Sequence, residues 1–191
     1  TYMAGWDALR GQRHEELKSR GILDEKWPMS PRDPDAPAWE DEPHKEWQDR
    51  CMAVYAAMID RMDQGIDRIL DTLKQRDEEE NTVVIFLSDN GAASAWFAED
   101  SNVDHPGQYG PVTRDGRPMI IGNNPSIMPG ADNTWSSYDM PWANACNTPF
   151  RLYKNWTHEG GISTPFIIRW PAQIKKPKIV HAPAYITDIM P

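Results

Sequence analysis

Val83-Val84-Ile85-Phe86-Leu87-Ser88-Asp89-Asn90-Gly91 is an apolar run, rich in β-branched and aromatic residues, that ends abruptly in a carboxylate, an amide and a glycine. A continuous run of this kind suits a central strand covered on both faces. In open α/β sheets, ligands bind just beyond the carboxyl ends of such strands, where Asp89 and Asn90 fall. Asp brings a charged oxygen and Asn a neutral carbonyl oxygen, the donors that a hard cation such as Ca²⁺ or Mg²⁺ prefers. Gly91 lets the backbone turn sharply away.

Upstream, Trp47, Met52, Tyr55, Met58, Ile59, Met62, Ile66, Ile69, Leu70 and Leu73 recur at three- and four-residue steps. This spacing predicts a helix over about 45–76 with one wide apolar face. Its methionines would suit a promiscuous groove, but packing against a sheet is the expected use. Asp60, Asp63, Asp67 and Asp71 fall on the wet face beside Arg61, Arg68 and Lys74. A helix, a short acidic connection and a buried strand form the repeating unit of an α/β fold.

Further upstream, residues 3–20 carry a thin stripe (Trp6, Leu9, Leu17) among charges, which predicts a short, mostly exposed helix stopped at Gly21. Residues 24–43 hold five prolines with Trp27 and Trp39, a loop pinned by tryptophans. Downstream, regular signals stop between Gly91 and Phe150, where seven Pro, six Gly and six Asn interrupt the aromatics. Structureless stretches this long are often functional. The stretch reads as a cover over the site; a surface excursion held by its own tryptophans is the alternative. Thr164-Pro165-Phe166-Ile167-Ile168-Arg169-Trp170-Pro171 predicts a second strand bracketed by prolines, and Ile179-Val180 with Ala184-Tyr185-Ile186 a further short one.

The 191 residues suffice to bury a core, and nine Trp and seventeen Pro favour long ordered loops. A formal charge of −9 argues against a general nucleic-acid or membrane-surface binder. No run approaches the roughly twenty apolar residues of a membrane span. Of the two cysteines, Cys51 lies in the helical pattern and reads as a buried free thiol.

A second cluster is Tyr153-Lys154-Asn155-Trp156-Thr157-His158-Glu159-Gly160-Gly161. Lys154 is a point cation with three donors, suited to the outer oxygens of a tetrahedral anion. Glu159 reads as an orienting acceptor or as the start of a tight turn; the turn is favoured because Gly-Gly adopts dihedrals that other residues avoid. His158 is a candidate acid, ligand or substrate contact, although a lone His is more often structural. His105 in the long stretch is a weaker candidate, His14 and His44 fall in charged, exposed contexts, and His181 has no partner pattern.

The strand ending in Leu87-Ser88-Asp89-Asn90-Gly91, followed by Lys154-Asn155-Trp156-Thr157-His158-Glu159-Gly160-Gly161 and then by the Pro-bounded strand, resembles the type I sulfatases. These are formylglycine-dependent, arylsulfatase-like members of the alkaline phosphatase superfamily. The resemblance runs from the long helix to Asp188. It implies an α/β sandwich with a mainly parallel central sheet flanked by helices. It also implies that Asp89 and Asn90 are two ligands of a divalent cation, usually Ca²⁺ with Mg²⁺ as the alternative, and that Lys154 contacts the sulfate group as a catalytic and substrate-binding residue. The implied reaction is hydrolysis of a sulfate ester, of a small molecule or a sulfated glycan, through a formylglycine nucleophile, with release of inorganic sulfate. Periplasmic or secreted location goes with the family.

The departures are equally specific. Neither Cys51-Met52-Ala53-Val54-Tyr55, nor Cys146-Asn147-Thr148-Pro149-Phe150, nor Ser30-Pro31-Arg32 fits the family's Cys/Ser-x-Pro-x-Arg nucleophile motif. The resemblance therefore implies that residues 1–191 are a later part of a catalytic domain, expected to be inactive alone. Within it, 1–44 form the helix and Pro/Trp loop, 45–90 the helix–strand unit, 91–150 the cover, and 151–191 the Lys154 segment and strands. The nucleophile would precede Thr1 and a C-terminal subdomain would follow Pro191. Rival readings are a phosphatase, phosphodiesterase or phosphonate hydrolase on the same frame, or a non-catalytic binding module. Trp135, Tyr138 and Trp142 are candidates for stacking on a substrate ring.

Overall fold

The computed structural model describes residues 1–99 and 112–189. The stretch around His105 and the terminal Met190-Pro191 lie outside them. Helix α1 spans Gly5–Ser19 and ends as predicted at Gly21. There Gly21 takes φ +67°, while Ile22 N–H reaches the Leu17 carbonyl (3.0 Å) and Gly21 N–H the Lys18 carbonyl (2.8 Å). Those two bonds satisfy carbonyls that the helix leaves open.

Helix α1 is not the mostly exposed element its charges suggest. Trp6, Arg10 and His14 recur every fourth residue, share one face, and are all buried. Arg10 donates to the Ser30 carbonyl (2.7 Å), and the His14 ring lies 3.0 Å from the Trp27 carbonyl. The proline-rich loop has carbonyls with no helix or strand partner, so polar side-chain ends can be buried against it. This corrects the reading of His14 as exposed.

Helix α2 spans Lys45–Gln75, close to the bounds expected, but only its first turns are buried, at Trp47, Gln48, Cys51 and Met52. Met52 joins Trp6, Trp39, Trp142 and Ala145 in the core. Trp6 packs edge-on against Trp39 (centroids 4.7 Å) and Trp142 (5.3 Å). From Met58 onward much of the apolar stripe is exposed, at Met58, Ile59, Met62 and Ile69, while Ile66, Leu70 and Leu73 are half-buried. The expected helix-on-sheet packing would bury this face, yet among the described residues most of it stays open to solvent. The aspartates at 60, 63, 67 and 71 do form an exposed face.

Strand β1 spans Val84–Leu87, as the opening run predicts. Strands β2 (Ile120–Ile121) and β3 (Thr134–Trp135) form a short parallel pair. Strand β4 spans Phe166–Arg169 inside its proline brackets and pairs with β1 antiparallel, Val84 opposite Arg169 and Leu87 opposite Phe166. Ile85, Phe86, Ile167 and Ile168 are exposed, so β1 is not covered on both faces within the described residues. The third predicted strand is absent from the described residues. The chain runs irregularly there and closes in a 3₁₀ turn at Ile186–Ile189.

The elements inside 91–150 had no clear signal. Helix α3 covers Asp139–Cys146 within the proline- and glycine-rich stretch and is almost wholly buried. Pro141 is tolerated in its first turn, where the missing N–H removes no intrahelical bond. Trp142 drives its burial. The chain is thus an α/β unit whose aromatic core lies between α1, the start of α2 and α3. Both cysteines are free, and burial lifts the Cys51 thiol to about 12.

Candidate functional site

The Asp89-Asn90-Gly91 turn leaves the carboxyl end of β1. Ser88 Oγ donates to the Asn90 carbonyl (2.8 Å), and Thr164 Oγ1 donates to the Ser88 carbonyl (2.7 Å), so the start of the β4 segment steadies the turn. Asp89 is exposed and Asn90 half-buried. Neither side chain has a hydrogen bond or ion pair among the described residues.

The lysine segment folds directly against this turn. Lys154 N–H donates to the Ala92 carbonyl and Gly91 N–H to the Gly161 carbonyl, both at 3.0 Å. Lys154 is exposed, whereas its neighbour Tyr153 is buried and donates its hydroxyl to Asp33 Oδ2 (2.8 Å). Burial, reinforced by that bond, holds the Tyr153 hydroxyl far above its ordinary pKa. One residue anchors the segment in the protein and the next presents an ammonium group at the surface. Asn155 follows at φ +76°, a conformation Asn tolerates better than most residues.

The glycines explain the intimacy of this contact. Glu159 opens the short helix α4 (Glu159–Ile162), as the turn reading holds, but Gly160 and Gly161 do not adopt the left-handed backbone that reading invokes. They are needed for close approach. A Cβ on Gly160 would stand 2.1 Å from the Leu152 carbonyl oxygen, and one on Gly161 2.0 Å from the Trp156 carbonyl oxygen. A Cβ on Gly91 would stand 1.7 Å from the Gly160 carbonyl oxygen. These distances are far inside van der Waals contact, so a side chain at any of the three would force the segments apart.

Asn147, which sequence reasoning passed over, caps α3 beneath the contact. Its Oδ1 accepts from Ala92 N–H (2.9 Å), and its Nδ2 donates to the Leu152 and Gly160 carbonyls (both 2.7 Å). A polar residue at a helix end just before a Thr-Pro pair is the only signal that could have marked it. Tyr138, expected to stack on substrate, is instead tilted against Tyr55 (4.9 Å), and its hydroxyl accepts from Ala93 N–H (3.2 Å). Burial raises its pKa well above the ordinary phenol range. Trp142 lies in the core and is unavailable for stacking. Trp135 is exposed.

The other histidines divide simply. His158 is exposed at the start of α4, its ring 6.3 Å from that of Trp156. His181 packs edge-on against Trp27 (6.0 Å), a partner its sequence context does not suggest.

The donor set can be tested against a divalent cation. Two adjacent oxygen-bearing side chains on a pinned turn suit a hard cation, and a nearby ammonium suits an anion shared with it. Ca²⁺ takes about six to eight oxygen ligands. Among the described residues no group of three His, Cys, Asp or Glu side chains gathers to hold a metal. The residues present therefore fit as part of such a site.

Comparison with known proteins supplies the class. The sulfatase family model matches residues 23–191. The chain is 35% identical over its whole length to an uncharacterized sulfatase of Schizosaccharomyces pombe, covering 33% of that protein. It is 31% identical over its whole length to an arylsulfatase of Klebsiella aerogenes, covering 39% of it. It is 26% identical over 137 residues, 72% of this chain, to mouse steryl-sulfatase, covering 16% of that protein. The chain belongs to the sulfatase family, which has an α/β fold and generally uses a metal ion and formylglycine. It spans about a third of the length of the two relatives it matches end to end.

Proposed function

We propose that residues 1–191 form a later part of the catalytic domain of a sulfuric ester hydrolase of the arylsulfatase type, inactive without the rest of that domain. The observation that carries the reading is the hydrogen-bonded apposition of two turns, one bearing Asp89 and Asn90, the other Lys154. Asp89 and Asn90 would supply two oxygen ligands to Ca²⁺, with Mg²⁺ as the alternative. Held there, the cation would supply positive charge that favours the sulfate group. Lys154 directs its ammonium donors at the sulfate oxygens, binding the ester and offsetting charge that grows as the alcohol or phenol departs. His158 and the exposed Trp156, which follow Lys154 in the chain, are candidate contacts for the remainder of the ester. The nucleophile, a formylglycine, lies outside these residues, because neither cysteine sits in a suitable motif and Cys51 is buried as a neutral thiol.

In the same reading, β1 and β4 belong to a mainly parallel central sheet whose other strands come from the remainder of the protein. Their exposed apolar faces and those of distal α2 support it. The segments follow the divisions at 44, 90 and 150, with the third contributing to the cover. Among the described residues no helix is long and apolar enough to cross a membrane.

The test uses the full-length protein with 4-nitrophenyl sulfate and 4-nitrophenyl phosphate. Lys154→Ala is expected to lower kcat/KM for the sulfate by on the order of 10²–10³, the loss typical of one charge-stabilising donor, with little change in Tm. Asp89→Ala is expected to weaken Ca²⁺ binding by calorimetry. Unchanged turnover in the first variant, or unchanged calcium affinity in the second, removes that residue from its role. A parent protein that cleaves the phosphate well and the sulfate not at all is a phosphatase.

A further inference from the structure

We propose that Asn147 is the positioning residue that locks the cation turn and the anion turn into one register, so that occupancy of either strengthens the other; this rests on the roles of Asp89, Asn90 and Lys154 given above. A carboxamide offers one acceptor oxygen and two N–H donors. Asn147 commits all three functions, each to a different segment. The oxygen takes Ala92 N–H, at the exit of the Asp89-Asn90-Gly91 turn. One donor holds the carbonyl of Leu152, two residues before Lys154, and the other holds the carbonyl of Gly160.

The position is central. A Cβ on Gly91 would meet the Gly160 carbonyl oxygen at 1.7 Å and Asn147 Nδ2 at 3.3 Å, so the carboxamide lies immediately beside the point where the two turns touch. Leu152 is held at φ +63°, an unfavourable conformation for a residue with a Cβ, and the bond from Asn147 is fastened to its carbonyl. The Gly91–Gly161 and Ala92–Lys154 backbone bonds complete the joint but do not reach α3. Among the described residues, Asn147 is the one side chain that ties all three segments to the C-terminal end of α3, which is itself seated in the tryptophan core. Truncation to alanine would leave one N–H and two carbonyls unpaired in a half-buried joint and release Leu152 from its constraint.

The mechanism predicts coupling, which a purely structural residue would not show. In the full-length protein, calcium affinity is measured by calorimetry, and inorganic sulfate is measured as a competitive inhibitor at low and saturating Ca²⁺. Asn147→Ala is expected to weaken both ligands by about 10–100-fold, the usual range for residues that orient ligand-bearing groups, and to abolish the tightening of sulfate by calcium. Asn147→Asp keeps the acceptor for Ala92 but loses the donors. It is expected to retain calcium affinity within a few-fold while losing sulfate inhibition, and it serves where the alanine variant fails to fold. Gln48→Ala, which removes the acceptor of the Trp142 indole in the core, is the control. It should lower Tm and leave both affinities unchanged. Asn147 variants that keep both affinities and their coupling, while Asp89→Ala and Lys154→Ala lose theirs, overturn the proposal and leave the site reading intact. Equal losses in Gln48→Ala also overturn it. Retained binding in Asp89→Ala and Lys154→Ala defeats the site reading itself.

Discussion

Trp142 and Ile167 both come from apolar stretches, yet Trp142 is 1% exposed and Ile167 58%. The first belongs to a region that closes on itself. Helix α1, the proline-rich loop, the first turns of α2 and α3 surround three mutually perpendicular or tilted indoles. The second belongs to a two-stranded sheet which, together with the distal half of α2, presents apolar side chains that no described residue covers. The difference teaches where stability and function part. The closed region can carry the energy of packing, and the candidate site sits on the seam between it and the open sheet: Asp89 extends from β1, while Asn147 and Tyr153 reach back into the tryptophan region.

The comparison breaks most visibly at its two ends. Trp142→Ala should cost about 3–5 kcal/mol, as other large core truncations do, measured by denaturant unfolding of the full-length protein. Ile167→Ala should cost less than about 1 kcal/mol in the 191-residue chain, but about 2–4 kcal/mol in the full-length protein, where the proposed central sheet covers it. An equally small cost in both settings would mean that the face is open to water.

A middle-sized effect falls on the seam. Gly160→Ala would set a methyl 2.1 Å from the Leu152 carbonyl oxygen, and should cost about 1–3 kcal/mol. It should also weaken calcium and sulfate together. A loss of stability with both affinities intact would make the glycine a packing residue with no bearing on the site.

The smallest effect lies inside the closed region. Burial raises the Asp139 carboxyl pKa above its ordinary value of 3.8. A raised folded pKa contributes stability that is fully present below the unfolded value and is lost as pH rises through the folded one. Asp139→Asn keeps an acceptor for Met140 N–H and tolerates the φ of +66°. It should therefore raise Tm at pH 7–8 and leave it unchanged below about pH 4, as thermal melts across that range would show. A gain of the same size at low pH would assign the effect to packing instead of charge.

Much of this was legible in the residues. The long helix, β1, β4 and the stop at Gly21 follow from period, proline brackets and glycine chemistry, all of them local causes. Asp89, Asn90 and Lys154 were legible as candidates because a carboxylate and an amide at a strand's end, and a lysine before Glu-Gly-Gly, are distinctive. Helix α3 was not, since eight residues with a proline carry too little periodicity to outweigh their loop-like surroundings. His14 was misjudged because its charged neighbours described the wet face of α1, while its partner, a carbonyl of the tryptophan loop, lies on a different segment. The role of Gly160 and Gly161 was also misassigned: a glycine needed for closeness looks the same in sequence as one needed for its dihedrals.

The sequence by itself therefore determined α1, the long helix α2, β1 and β4 and which side chains are candidates for the chemistry, because propensity, periodicity and functional groups are properties of neighbours along the chain. Only the tertiary structure decided which apolar residues are buried, why Gly91, Gly160 and Gly161 cannot bear side chains, and that Asn147 joins the two turns. Those facts depend on which distant backbone atoms come within bonding distance. Asn147 draws two of its three partners from positions 92 and 160, and nothing in its own neighbourhood specifies them.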